Sequence, residues 1–136
     1  TKKHIFVSTG IVSEIEISNF LKTFSSKKSF FTLIHTQMTH NIEDVNLKAI
    51  SILQKKFQLP VAYGNHSKYS LVTFVALGFE PSDIFIYVKG NRSKSHPDEI
   101  HSIPLENLET FVYDLREMKK SIGSGLKKTI VNTITD

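Results

Sequence analysis

Four short apolar runs, each giving way abruptly to small or polar residues, limit what this chain can become. They are Ile5-Phe-Val-Ser-Thr-Gly10, Phe31-Thr-Leu-Ile-His-Thr36, Leu59-Pro-Val-Ala-Tyr-Gly-Asn-His66 and Ile84-Phe-Ile-Tyr-Val-Lys-Gly90. Runs of this length read as strands buried on both faces, the pattern of a parallel sheet covered by helices. Helix signals fill the gaps. Ser13-Glu-Ile-Glu16 has capping-box spacing, and Ile15, Phe20, Leu21 and Phe24 mark the buried side of a helix that fades in Ser25-Ser-Lys-Lys-Ser29. Asp44 is a candidate cap for a second helix with Val45, Leu47, Ile50, Leu53 and Phe57 as its apolar stripe. A short third helix, roughly 68 to 77, is expected to stop at Gly78, a residue suited to a left-handed terminus. A long fourth helix starts near Pro104, buries Leu105, Leu108, Phe111, Val112, Leu115 and Met118, and ends at Gly123 and Gly125. Strand alternating with helix four times gives an α/β chain of parallel β/α units. Four strands do not close a barrel, so the expectation is either a small open sheet or half of an eight-unit barrel.

The 136 residues fit one domain, read as 1–125 with 126–136 as a tail or linker. No apolar run approaches the roughly 20 residues of a membrane span, and Thr-Lys-Lys-His-Ile at the start lacks a signal peptide's apolar core. The expected compartment is the cytoplasm. A start at Thr1 in place of methionine suggests a processed, cleaved or excised piece. With no cysteine, any metal site must use histidine and oxygen. The net charge of +4 is spread over Lys2-Lys3, Lys27-Lys28, Lys55-Lys56, Lys119-Lys120 and Lys127-Lys128. A scattered pattern of this kind reads as solvated surface, and no nucleic-acid or membrane partner is expected.

In parallel α/β folds, ligands and metals gather just past the carboxyl ends of the strands. His66 sits there, either as a metal ligand or as an ordinary polar loop residue. A metal would need further donors; His35 and His40 are at hand, although His35 is better suited to capping its strand by a hydrogen bond. Ser8, before Thr9-Gly10, can cradle an anion with help from the following helix amino terminus, or simply belong to a turn of small residues. The polar loop Asn91-Arg-Ser-Lys-Ser-His-Pro-Asp98 is too long to be only a turn and is a candidate binding loop, in which Arg92 and Lys94 can attract a phosphorylated ligand. No nucleophile-and-base pair, phosphate loop or zinc spacing stands out.

Taken in order, Val7-Ser-Thr-Gly10, Leu33-Ile-His-Thr36, Glu43-Asp-Val-Asn-Leu47, Leu59-Pro-Val-Ala-Tyr-Gly64 with His66, Val75-Ala-Leu-Gly78, His96-Pro-Asp98 and Ile122-Gly-Ser-Gly125 resemble the second half of the barrel of sialic acid synthases. This is the N-acetylneuraminate synthase family, with legionaminic and pseudaminic acid synthases and a spore-coat polysaccharide protein among its members. The resemblance implies strands five to eight of a TIM-type β/α barrel, which in the family precedes a small antifreeze-like domain in a domain-swapped dimer. It implies condensation of phosphoenolpyruvate with the open-chain aldehyde of an N-acetylated amino sugar, assisted by a divalent metal such as manganese. By position, Ser8 matches a serine that contacts the phosphoenolpyruvate phosphate, His66 one of two metal histidines, and Asp98 an aspartate that contacts the sugar.

The departures bear on activity. The second metal histidine falls on Tyr87, and a phenol is a poor ligand for such a metal. Gly64 and Asn65 replace a phosphate-contacting serine and its neighbouring aspartate, and Gln37 or Met38 stands where the family has a phosphate-contacting asparagine. The family's catalytic glutamates and phosphate-binding lysines lie in the other half of the barrel. The expectation is a synthase-like half-barrel that is inactive alone and pairs with another copy or with a missing half; the alternative is a non-catalytic binding or assembly module that keeps the fold.

Overall fold

The computed structural model describes residues 3–90 and 95–127. Strands β1 (Ile5–Ser8), β2 (Phe31–His35), β3 (Val61–Gly64) and β4 (Ile84–Phe85) form one sheet in sequence order, every neighbouring pair parallel. Helices α1 (Glu14–Thr23), α2 (Lys48–Phe57) and α3 (Val72–Ala76) connect them. A second, two-stranded parallel sheet pairs β5 (Tyr87–Lys89) with β6 (Ser102–Pro104), and α4 (Leu108–Ile122) closes the sequence of elements. The central strands β2 and β3 are almost wholly buried, whereas β1, at the sheet edge, is mostly exposed.

Side chains on a strand alternate between faces, and the register sorts them. Phe31, Leu33, Val61 and Tyr63 face the helices, where they pack with Ile17 and Leu21 of α1, Ile50, Leu53 and Phe57 of α2, and Val72 and Ala76 of α3. The other face carries Phe6, Ser8, Thr32, Ile34, Ala62, Gly64 and Phe85, which share register rows. Here Phe6 on β1 meets Phe85 on β4 edge to face, with ring centroids 5.1 Å apart. In a flat sheet these two strands would lie three spacings apart, about 14 Å. Contact between their rings therefore requires the sheet to curl around a concave face, and the small residues Thr32, Ala62 and Gly64 leave room for it. Four parallel strands curled in this way, with helices on the convex side, are the geometry of part of a β/α barrel.

Ser13 caps α1 as its spacing predicts: its hydroxyl accepts from the Glu16 amide while the Glu16 carboxylate accepts from the Ser13 amide. Several other local expectations are corrected. The run from Ile84 to Gly90 is two strands interrupted at Ile86, because β4 has β3 as its partner and β5 has β6. Ile17 and Leu21 form the buried side of α1, whereas Ile15 is 74% exposed and Phe24 partly so. Asp44 lies in a 3-10 turn ahead of α2 and does not cap it. The left-handed residue after α3 is Glu80, at φ 52°, and Gly78 sits inside the preceding 3-10 turn. Pro104 ends β6, so α4 begins four residues later. None of its side chains is fully buried. Phe111 stacks edge-on against Phe74, but Leu105 and Met118 are exposed, since among the described residues nothing packs on the outer side of this helix. Gly123 ends α4 at φ 68° as expected. Arg92 and Lys94, and residues 128–136 of the expected tail, lie outside the described residues.

Candidate functional site

The loop that leaves β3 is built before it is used. The Asn65 carboxamide oxygen accepts from the Tyr63 hydroxyl at 2.9 Å and from the Ser67 amide at 3.3 Å, and its nitrogen donates to the Ser67 carbonyl at 3.0 Å. The Ser67 hydroxyl in turn accepts from the Tyr69 amide. Asn65 and Ser67 are both buried, so this local ring of bonds competes with no solvent and fixes the backbone of His66 between them. Burial pushes the Tyr63 phenol up from its ordinary range, which keeps it a donor. The His40 Nδ1–H donates to the His66 carbonyl at 3.0 Å, tying the loop after β2 to the loop after β3.

A second segment approaches His66 from the far end of the chain. Asp98 opens a 3-10 turn over Glu99–His101. Because such a turn has three residues per revolution, side chains three apart eclipse one another, and His101 Nε2 comes to lie 3.5 Å from Asp98 Oδ1. The Lys89–Glu99 ion pair, at 3.1 Å, pins this turn to β5. Tyr87, at the start of β5, brings its hydroxyl to 3.1 Å from His66 Nε2. The His66 and His101 rings lie 4.6 Å apart, centroid to centroid, and the Tyr87 ring stands edge-on at 4.6 Å from His101.

One ligand atom each from His66, Asp98 and His101 lies within 4.8 Å of the other two. The His101 side chain is only 1% exposed, and neither of its ring nitrogens has a hydrogen-bond partner among the described residues. An imidazole buried with both nitrogens unpaired is costly. Two imidazoles and a carboxylate, one of them holding unspent donor capacity, suit a divalent metal ion of the manganese, iron or zinc type. Burial lowers the affinity of both His66 and His101 for protons, the nearby imidazoles add to this, and the Asp98 charge opposes it. Neutral imidazole is the form that binds metal.

Of the three residues expected at the site, the fold thus brings His66 and Asp98 together. Ser8 ends β1 at the same carboxyl end of the sheet, on the concave face in register with Ile34, and is not one of the three clustered groups. Next to it, Thr9 turns its hydroxyl to the Ile34 carbonyl. His35 is not part of the cluster; its Nε2–H donates to the Val45 carbonyl at 3.0 Å, a tie between β2 and the segment leading into α2. Sequence reasoning missed His101. Its signal was the Asp98-x-x-His101 spacing, which has meaning only once residues 99–101 are known to form a 3-10 turn.

The comparisons with known proteins agree with this architecture. A family model matches residues 1–127, that of the NeuB family. The chain belongs to the NeuB family. Among curated relatives of this NeuB-family chain, the N,N'-diacetyllegionaminic acid synthase of Legionella pneumophila is 29% identical over 140 residues, covering 98% of this chain and 39% of that protein. The pseudaminic acid synthase of Campylobacter jejuni is 29% identical over 128 residues, covering 91% and 37%. The chain therefore spans about two-fifths of the length of the curated relatives it matches. The crystal structure of N-acetylneuraminic acid synthetase from Leptospira borgpetersenii in complex with citrate superposes with a TM-score of 0.82 at 27% identity, over 94% of this chain and 46% of that one. A putative spore coat polysaccharide biosynthesis protein E from Chromobacterium violaceum shares the fold at a TM-score of 0.78 and 13% identity, over 98% and 41%. No helix among the described residues is long and apolar enough to cross a membrane.

His35 sets one expectation for pH. Burial lowers its folded-state pKa below the ordinary 6.5, against the opposing pull of the Val45 and Asn46 carbonyls. As pH falls, the unfolded chain takes up this proton first, so stability is full above about pH 6.5 and declines toward the lowered folded value. The melting temperature should accordingly fall between about pH 7.5 and 5.5. His66 and His101 contribute in the same direction, so His35→Gln should flatten the decline only in part. An unchanged melting temperature across this range would contradict the burial of these rings.

Proposed function

We propose that these 136 residues form the metal-holding half of a nonulosonate synthase barrel, a domain over 1–125 with 126–136 as tail or linker. The whole enzyme would condense phosphoenolpyruvate with an N-acetylated amino sugar in the cytoplasm. The observation that carries this reading is the meeting of His66 and Asp98 beside the carboxyl edge of a curled parallel sheet. His66 holds the divalent metal, with manganese as the expected ion. When bound, such a metal polarises the sugar aldehyde oxygen as a Lewis acid. Asp98, beside it, receives a sugar hydroxyl. Ser8 and the amino end of α1 receive the phosphoenolpyruvate phosphate.

Alone, the chain is expected to be inactive, because none of its residues takes the places of the family's catalytic glutamates or phosphate-binding lysines. It functions by pairing with a complementary half, or with a second copy, along the open edges of the sheet. A coupled assay with manganese, phosphoenolpyruvate and N-acetylmannosamine tests this. The purified chain should release no phosphate. Adding a separately produced amino-terminal half-barrel from the Legionella relative should form a complex by gel filtration and start release. Phosphate from the chain alone would refute its inactivity.

A second reading, a non-catalytic binding or assembly module, is favoured by Tyr87 and Gly64 at positions where the family has a metal histidine and a phosphate-contacting serine. Gly64 is packed closely, since a Cβ there would lie 3.2 Å from the Ile34 side chain and 3.4 Å from that of Thr36. A complex that assembles yet stays silent would support this module.

A further inference from the structure

We infer that the second imidazole of the metal centre comes from His101, on the 3-10 turn before β6, in place of the strand position now filled by Tyr87. This deepens the reading above and rests on it only for the place of the metal. Four observations lead to it. His101 is buried, and among the described residues both of its nitrogens lack a hydrogen-bond partner although Tyr87, His66 and Asp98 crowd around it. Its ligand atom lies within 4.8 Å of those of His66 and Asp98, so a small inward shift of the side chains brings all three donors to about 2.1 Å from a single cation. The 3-10 turn eclipses Asp98 and His101, so one short segment delivers a carboxylate and an imidazole to the same side. Tyr87 has a different task, because its hydroxyl is engaged with His66 Nε2 at 3.1 Å.

The centre is then two imidazoles and one carboxylate, a set that leaves coordination positions open for substrate oxygen. One Asp98 oxygen serves the metal and the other remains for a sugar hydroxyl. Tyr87 acts as a positioning residue that holds the His66 ring, the role that outer hydrogen-bond partners commonly play around a metal. Migration of a ligand from residue 87 to residue 101 would preserve the centre while its original position changed. It would also explain why an imidazole is buried here with no hydrogen-bond partner among the described residues.

The test is zinc binding to the intact chain, measured by calorimetry and by the ring nitrogen shifts of the histidines, with no substrate present. In the wild type, one nitrogen each of His66 and His101 should move to the metal-bound range on adding zinc, while His35 does not respond. His101→Gln and His66→Gln should each weaken zinc affinity at least about tenfold, the lower end of what losing even an outer partner costs. His4→Gln, just ahead of β1 at the opposite end of the sheet, should leave affinity unchanged. Circular dichroism establishes that each variant is folded, and the wild-type shifts answer the question if one is not. Zinc that shifts His66 but not His101, or that binds His101→Gln with full affinity, would overturn the inference and leave the proposed function standing. Failure of the wild type to bind zinc would overturn both.

Discussion

Replacing Asn65 with alanine is expected to destabilise the protein by about 3 kcal/mol and to loosen His66 at the same time. The substitution strands the Tyr63 hydroxyl, the Ser67 amide and the Ser67 carbonyl, all previously paired with one side chain. A buried polar group left without a partner costs about 1–3 kcal/mol, and water entering the space would recover part of the sum. Tyr63→Phe removes one donor while the carboxamide keeps Ser67, so it should cost only about 1 kcal/mol. Because the two side chains share a bond, the double variant should be less damaging than the sum of the singles. Urea unfolding of the four proteins reads this coupling directly. Strict additivity would mean that the Tyr63–Asn65 bond contributes nothing. Zinc affinity should fall with Asn65→Ala and hold with Tyr63→Phe, since only the first releases the loop.

Leu33→Ala is expected to lower stability by about 3–4 kcal/mol, through lost burial and the cavity left behind. Leu33 lies at the centre of β2, fully buried, between the register partners Val7 and Val61 and beneath the helices. For a domain of this size such a loss lowers the melting temperature by about 10 °C. Domains are typically stable by only about 5–15 kcal/mol, and this one leaves Phe6, Phe85 and the outer side of α4 partly in water. Leu33→Ala is therefore expected to remove a large share of its total stability. Ile15→Ala on the exposed side of α1 is the contrast, and should change the unfolding midpoint little. Equal effects at the two sites would mean that the core is not where the register places it.

The two variants separate two layers of the design. Leu33 belongs to the packing of sheet on helix, which positions every strand end. Asn65 belongs to the local bonding that turns one strand end into a platform for a metal-binding side chain. If Leu33→Ala lost zinc affinity in proportion to the unfolded fraction while Asn65→Ala lost it in the folded state, the division would be confirmed by measurement.

The apolar runs at 31–35 and 61–64 were legible as strands because a strand buried on both faces leaves few polar positions, and 5–8 read the same way although β1 lies mostly exposed at the sheet edge. The capping box at Ser13 and the stop at Gly123 were legible for the same kind of reason, each being a bond or backbone angle made within a few residues. His66 was placed by its position after a strand. What the sequence left open depended on partners far away along the chain. Ile84 to Gly90 reads as one strand until β3 and β6 take different parts of it, and the buried side of α1 moves to Ile17 because the sheet lies on that side. His101 offered no sign by itself. An imidazole becomes a candidate ligand only when a turn sets it over Asp98 and the fold carries both to His66, and that closeness comes from packing between segments more than thirty residues apart. Local propensity determined β1 to β3, the ends at Ser13 and Gly123 and the parallel order; only the tertiary packing decided which side chains share a site.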